Sequence, residues 1–454
     1  MELQWTKIFL PEIVELIEAK DFKGLRNFLR ERHPADIVGI LRELDPAGRV
    51  MGFRLLDKNT ISEVFALFEP IEQEELLKQF TEQHVKEILV QMQPDDRTQL
   101  FDELPAHLVE KLLKLLPPAD RREANELLNY PHNSAGRIMT TEYVDLQMDM
   151  TVAKALEHIR KTGPNRETIY ICYIVDETKK LRGVASLKNI ILANPDQLIR
   201  DIMNENVFYV HTTDDQEAAV QVVQKYDILA VPVVDNEERL VGIVTVDDVL
   251  DVVQEEVTED FQRMAGIQTI EEAYFRVGFS KRIINRVSWL VILVIAATIS
   301  QAILRSYSGV LSSVIALAYF IPMLTGSGGN TGSQSSTLII RALATGEIDI
   351  KEWWRILLRE FKVGISLGLI LGFIAFAIAA ISLGQITLAL TVGVSLCIVV
   401  SVGNIVGLAI PLFFRFIKLD PAFVSAPLIA TLLDATALVI YFEIASRMLS
   451  NTTF

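Results

Sequence analysis

Residues 363 to 414 form a run of 52 positions without a single Asp, Glu, Lys, Arg or His. A helix rises about 1.5 Å per residue and a bilayer core takes ~20 apolar residues, so the run holds two spans. The sequence Ser382, Leu383, Gly384, Gln385 marks the turn between them. A soluble helix pair of this length would carry a charged face. A membrane region is therefore expected over residues 287 to 449. Residues 287 to 304 supply its first span, and residues 310 to 340 a second that contains a break.

The fifth span follows Asp420. Residues 423 to 445 are 23 nearly all apolar positions, with one mid-span carboxylate, Asp434, eleven residues from each end. That is roughly 16 Å from either surface. An ionised group there costs about 3 kcal/mol on insertion scales and marks a functional position. The ordinary alternative is a protonated Asp bonded to a neighbouring helix. The second span carries Pro322, Gly326, Gly328, Gly329, Asn330 and Gly332, a poor composition for a lipid-facing helix. Irregular backbone at this depth needs protein or a watery cavity around it. Small residues also let helices approach closely. The fourth span adds Asn404 and Pro411. Gly328, Gly329, Asn330 and Asn404 are thus candidates to line a cation path to Asp434.

Basic residues fall on one side of the spans: Lys281, Arg282, Arg286, Arg341, Lys351, Arg355, Arg359, Lys362, Arg415 and Lys418, against Arg305 and Arg447 on the other. The positive-inside rule places residues 1 to 286 in the cytoplasm and the C-terminus outside. No secretory leader is expected, because the first twenty residues already include Glu2, Lys7, Glu12, Glu15 and Glu18. Cys172 and Cys397 stand apart in different settings, which fits a reducing compartment. The net charge of −15, with no basic tract, argues against nucleic acid as a partner.

Residues 1 to 137 repeat a proline about every twelve positions, at Pro34, Pro46, Pro70, Pro94, Pro105 and Pro117. Each precedes a short amphipathic run. Proline suits the first turn of a helix, where its missing N–H goes unnoticed, so a stack of short helices, an α-solenoid, is expected. Asp95 and Asp96 either supply ligands to a cation at a domain contact or complement a helix dipole.

Residues 138 to 260 contain a duplication. IMTTEYVDLQMDM from Ile138 returns as IMNENVFYVHTTD from Ile202, and YIVDETKKLRG from Tyr173 returns as PVVDNEERLVG from Pro232. Each copy (138–201 and 202–260) reads strand, helix, strand, turn, strand, helix. This resembles a tandem pair of CBS domains. That resemblance implies adenine-nucleotide binding, with an Asp three residues after a Ser or Thr on the ribose. The second copy has Thr245 and Asp248 at that spacing; the first has Ser186 and Asn189.

Residues 205 to 260 hold 15 Asp and Glu against Lys225 and Arg239. Asp248, Asp251, Glu255 and Glu259 recur once per turn on one helix face, where like charges repel by a few tenths of a kcal/mol per pair. Divalent cations would relieve that repulsion, so compactness would depend on them; a solvated acidic face is the alternative. Residues 261 to 286 then form a connector that turns basic at Lys281, Arg282 and Arg286. It reads either as a helix resting on a membrane surface or as a lever or plug transmitting the state of the acidic module to the spans.

This order of parts resembles the MgtE family of bacterial magnesium channels over essentially the whole chain. The most specific stretches are PMLTGSGGNTGSQSSTLIIRALATGEI in the second span and DPAFVSAPLIATLLDAT in the fifth. The resemblance implies a multidomain membrane protein: α-solenoid N-terminal domain, tandem α/β CBS pair, connecting helix and five-helix transmembrane domain. It implies a homodimer in the inner membrane with the pore between subunits and Asp434 holding a hydrated Mg2+. Mn2+, Co2+ and Ni2+ are further candidate ions. Cytoplasmic magnesium sites are implied at Asp95, Asp227, Asp248, Asp251, Glu256, Glu259 and Asp260. Asp215 and Glu217 join this sensor set, and Ala426, eight residues before Asp434, joins the pore lining. Bound magnesium would lock the closed state. Asn189 departs from members in which the first CBS copy carries the ribose-contacting Asp; ATP or another adenine nucleotide remains a candidate ligand.

Two other classes stay open. An ion-coupled carrier would need a second titratable group inside the membrane; Asp434 is the mid-span carboxylate, and no His or Lys falls in the spans. A non-conducting membrane sensor would not need Asp434. An enzyme is not expected, because His33, His84, His107, His132, His158 and His211 are scattered without ligand or triad spacing.

Overall fold

The computed structural model describes residues 5–269 and 277–449. The chain divides into two compact units, Met1–Val253 and Gln254–Phe454. The connector's residues 270 to 276 lie outside the described residues.

The first unit opens with ten short helices between Trp5 and Leu128, counted among the described residues. Prolines 34, 46, 70, 94 and 118 stand in the first turn of their helices. Side chains close several N-termini: the Gly48 N–H donates to Asp45 Oδ1 at 2.9 Å, and Glu69 and Glu72 form a reciprocal box. Phe53 packs edge-on against Phe65 and Phe80 and tilted on Phe68, centring the solenoid core.

Two three-stranded sheets follow, β1 (Asp145–Gln147), β2 (Ile171–Val175), β3 (Leu181–Ser186) and β4 (Val210–His211), β5 (Ala230–Val234), β6 (Leu240–Thr245). In each, the first pair is parallel and the second antiparallel, with a bulge at Val175 and Val234 respectively. The turns repeat as well. Asp176 accepts from the Thr178 and Lys180 N–H groups, Asp235 from those of Glu237 and Arg239. The copies are laced together: Thr140 pairs with Ile243 on β6, and Asn204 with Val184 on β3. An exit helix, Val246–Met264, leaves the second copy.

Among the described residues the second unit holds four helices long and apolar enough to cross a bilayer: Phe279–Ser306, Trp353–Leu383, Ile386–Phe416 and Ala426–Leu449. The last, here the carboxylate helix, bears Asp434. The second of the five predicted spans corresponds to the helix Ile321–Ala344, more polar but 24 residues long. Its break lies earlier than its glycines, in a 3-10 stretch Ile315–Phe320. The glycines sit inside a continuous helix, because their role is close approach rather than irregular backbone. A Cβ on Gly403 would lie 2.8 Å from the Gly328 carbonyl oxygen, and one on Gly407 2.2 Å from that of Gly332. The glycine-rich helix thus meets helix Ile386–Phe416 backbone to backbone. In lipid no hydrophobic force drives this contact, so packing carries it. Gly364, Gly368 and Gly372 make the equivalent seam between Trp353–Leu383 and Ile386–Phe416. Gly384, at φ +67, closes the turn between those two helices.

Candidate functional site

Asp434 lies mid-helix and half-buried. Among the described residues no hydrogen bond or ion pair engages its carboxylate, so the alternative of an Asp bonded to a neighbouring helix is not what the structure shows. Gly328 lies by Ala437, and Gly332 by Leu433 and Ile429. Asn330 therefore stands at the level of Asp434, and it is exposed, as are Gly326 and Gln334 one turn to either side. Ser333 donates to the Ala426 carbonyl at 3.3 Å, joining the glycine-rich helix to the start of the carboxylate helix. Gly328 and Gly329 are buried in helix contacts.

Asn404 has another task. It is 2 % exposed, and its amide donates to the Glu360 carbonyl at 2.8 Å and to Glu360 Oε2 at 3.0 Å. Glu360 stands just before the uncharged run, and its pairing with a buried Asn brings a second carboxylate to the edge of the spans.

The predicted sensor residues separate into three groups. The first lies in the Met1–Val253 unit. Asp95, 8 % exposed at the first turn of helix Pro94–Glu103, is pushed well above the usual carboxylate range by burial and by Asp248, Asp96 and Glu167. Burial, then Asp247 and Asp251, raise Asp96 to about 6. Asp248 reaches about 7 through burial, although the Thr245 hydroxyl and N–H donate to it. Glu167 reaches about 7 through burial and the charges of Asp248, Asp247 and Asp96. One oxygen each of Asp95 and Glu167 is buried without a hydrogen-bond partner. Glu167 was not foreseen. It comes from a loop of the first CBS copy, and only the folded chain carries it to the acids of the second. This also places the candidate ribose ligand Asp248 among carboxylates, while Asn189 stays on an exposed helix start capped by Ser186.

The second group, Glu256, Glu259 and Asp260, lies in the other unit. Burial, Asp420 and Glu256 lift Asp260 to about 6 against the pull of Arg263. Arg263 pairs with Glu259 and with Asp420. The third group caps helix Gln216–Tyr226. Asp215 accepts from the Glu217 N–H at 3.0 Å, and Asp227 closes the helix at φ +51. Among the described residues no set of three or more His, Cys, Asp or Glu side chains closes tightly enough to hold a metal as it stands. The first group is a loose cage: its donors are hard oxygens, its repulsion is unrelieved, and both features suit Mg2+.

Residues 321–444 match a family described as divalent cation transporter, residues 32–133 the MgtE intracellular N domain, and residues 135–196 and 199–255 CBS domains. The magnesium transporter MgtE of Thermus thermophilus is 41% identical over 438 residues, 96% of this chain and 97% of that one. The chain belongs to the MgtE family of magnesium transporters. The Enterococcus faecalis MgtE is 36% identical over 72% of each chain. The solved cytosolic domain of the Mg2+ channel MgtE in complex with ATP superposes with a TM-score of 0.51 at 40% identity, covering 53% of this chain and 98% of that one. Membership in MgtE makes this a membrane transport protein and not an enzyme.

Proposed function

We propose that the chain is a homodimeric magnesium channel of the bacterial plasma membrane, closed by cytoplasmic magnesium, with Asp434 as the pore carboxylate. The observation that carries this reading is the unbonded Asp434 carboxylate, level with the exposed Asn330 on the adjacent helix. In a bilayer such a group must find water, a cation or a second copy. Two symmetry-related carboxylates around a hydrated Mg2+ supply all three, and few direct ligands suit an ion reluctant to lose water. Weak holding also lets the ion leave.

The sensor in this reading is the cage of Asp95, Asp96, Glu167, Asp247, Asp248 and Asp251, with the Glu256, Glu259 and Asp260 group as a second site. Bound magnesium draws solenoid and CBS pair together; its loss releases them. The soluble unit faces the cytoplasm. Adenine nucleotide is a second ligand of the CBS pair, supported by the ATP bound in the 40%-identical cytosolic domain; with Asn189 in place of a carboxylate, the first copy holds it weakly.

Flux into proteoliposomes tests the reading. Wild type should pass Mg2+ and close at roughly millimolar cytoplasmic Mg2+, and Asp434→Ala should not conduct. Flux at wild-type rate through Asp434→Ala removes that residue from the pore. The second reading, an ion-coupled carrier, is favoured by Glu360 bonded to Asn404; flux that follows a proton or sodium gradient selects it.

A further inference from the structure

The segment that ends the exit helix grips the start of the carboxylate helix at two places, and both grips lie within the Gln254–Phe454 unit. At the first, Arg263 donates to Asp420 Oδ2 at 2.6 Å, and its guanidinium lies 5.0 Å from the Phe423 ring centroid. At the second, Gly266 takes φ +71 and lies close against the Cδ1–Nε1 side of Trp289 of helix Phe279–Ser306. A Cβ there would come within 2.4 Å of the indole and 3.3 Å of Ser425 Oγ. The indole Nε1–H donates to Ser425 Oγ at 2.9 Å.

Ser425 is the residue just before the carboxylate helix, and it is fully buried. Its carbonyl accepts from the Leu428 and Ile429 N–H groups, and its hydroxyl lies 3.4 Å from the Leu428 N–H. It is thus the N-terminal cap of the helix that carries Asp434. A partly buried tryptophan N–H usually finds a partner, and that of Trp289 spends its bond on the cap. Gly266 is the one residue type that allows the approach, since any side chain would clash with the ring and strain the backbone.

We propose that Trp289 is a positioning residue for gating. It couples the end of the exit helix to the start of the Asp434 helix, because Gly266 packs at the Cδ1–Nε1 side of its ring and the same Nε1–H bonds Ser425. The coupling rests on the gated-channel reading and names its mechanical route. While Gly266 is seated, the indole holds the cap and the carboxylate helix keeps its closed placement. When the exit segment withdraws, the bond loosens and the helix start is free to shift.

The test is Mg2+ flux through the full-length protein in liposomes, read as two quantities: maximal flux with cytoplasmic Mg2+ chelated, and the Mg2+ concentration for half closure. Trp289→Phe keeps the ring and loses the donor; Ser425→Ala loses the acceptor. Each should raise the half-closing concentration roughly three- to ten-fold, the worth of one hydrogen bond, with maximal flux unchanged. The double variant should shift it no further, because both remove one bond. Ser425→Thr, which keeps the hydroxyl, should restore the wild-type value, which separates coupling from general damage. An unchanged closing concentration in Trp289→Phe and Ser425→Ala, with wild type closing normally, overturns the coupling. So do additive shifts in the double variant. A wild type that conducts but never closes overturns the gated reading itself.

Discussion

Asp434 and Asp248 are both carboxylates kept from bulk water, and the chain surrounds them in opposite ways. Among the described residues Asp434 makes no hydrogen bond or ion pair, and it stands on a helix packed against the glycine-rich helix, which Gly332 and Gly407 lock in turn to helix Ile386–Phe416. Asp248 stands among Asp95, Asp96, Glu167 and Asp247, on pieces of chain drawn from the solenoid and both CBS copies. A single charge on a rigid frame offers a passing cation one weak ligand at fixed geometry. Several like charges on separable parts store repulsion, and a cation that enters changes how the parts sit. The first arrangement suits conduction, and the second suits sensing.

The largest effect should come from breaking the lone site. Asp434→Ala is expected to cut Mg2+ flux by at least about a hundred-fold if the mid-span carboxylate is the pore ligand proposed above. Its melting temperature in detergent should stay within a few degrees of wild type, because among the described residues nothing bonds the carboxylate. A large fall in melting temperature would mean that Asp434 holds the fold together, and the contrast with Asp248 would fail.

The cage should respond the other way. Combining Asp95→Asn, Asp248→Asn and Glu167→Gln removes repulsion, so the metal-free soluble unit should melt several degrees higher than wild type. Added Mg2+ should then stabilise it far less, and the channel should stay open at millimolar Mg2+. Wild-type closure in the triple variant would move the sensor to the Glu256, Glu259 and Asp260 group.

A pH series separates the two sites without mutation. Asp96, Asp248 and Glu167 titrate near 6 to 7 in the fold, above their ordinary values. The folded unit therefore holds more protons than the unfolded chain between about pH 4 and pH 7. Stability without metal should fall as pH rises through that window and level off above it. Mg2+ must displace those protons, so its stabilising effect should grow over the same range. A metal-free melting temperature that rises from pH 5 to pH 7.5 would contradict this placement.

How much of this was legible in the sequence depends on range. The proline spacing and the duplicated D-x-x-x-x-L-x-G turn are local signals, and the solenoid and paired sheets appear where those residues stand. The lone Asp in an apolar run was legible for the same reason. Glu167 was not, because its partners lie some 70 to 80 positions away and only the packing of three segments joins them. Asn404 was read as lining a path, since a buried amide in a span has no visible partner until Glu360 is placed beside it. The glycines were ambiguous: in a string of letters a helix seam and a broken helix look alike, and neighbouring carbonyls decide between them.

The smallest expected effect tests which face of the glycine-rich helix is already covered. A methyl added at Gly407 meets the Gly332 carbonyl oxygen, and backbone cannot swing aside. Gly407→Ala should therefore cost about 1–3 kcal/mol through overpacking. Gly326 lies on the exposed face with nothing within 4 Å of an added Cβ. Gly326→Ala should gain up to about 1 kcal/mol from helix propensity in an isolated chain. Thermal melts of the two variants, beside their mass in detergent, read both at once. If Gly326→Ala loses stability and the dimer dissociates more readily, the exposed face of Gly326, Asn330 and Gln334 is packed against a second copy. If it gains stability with the mass unchanged, that face is open to water or lipid, and the path past Asp434 runs along it without a tight seam.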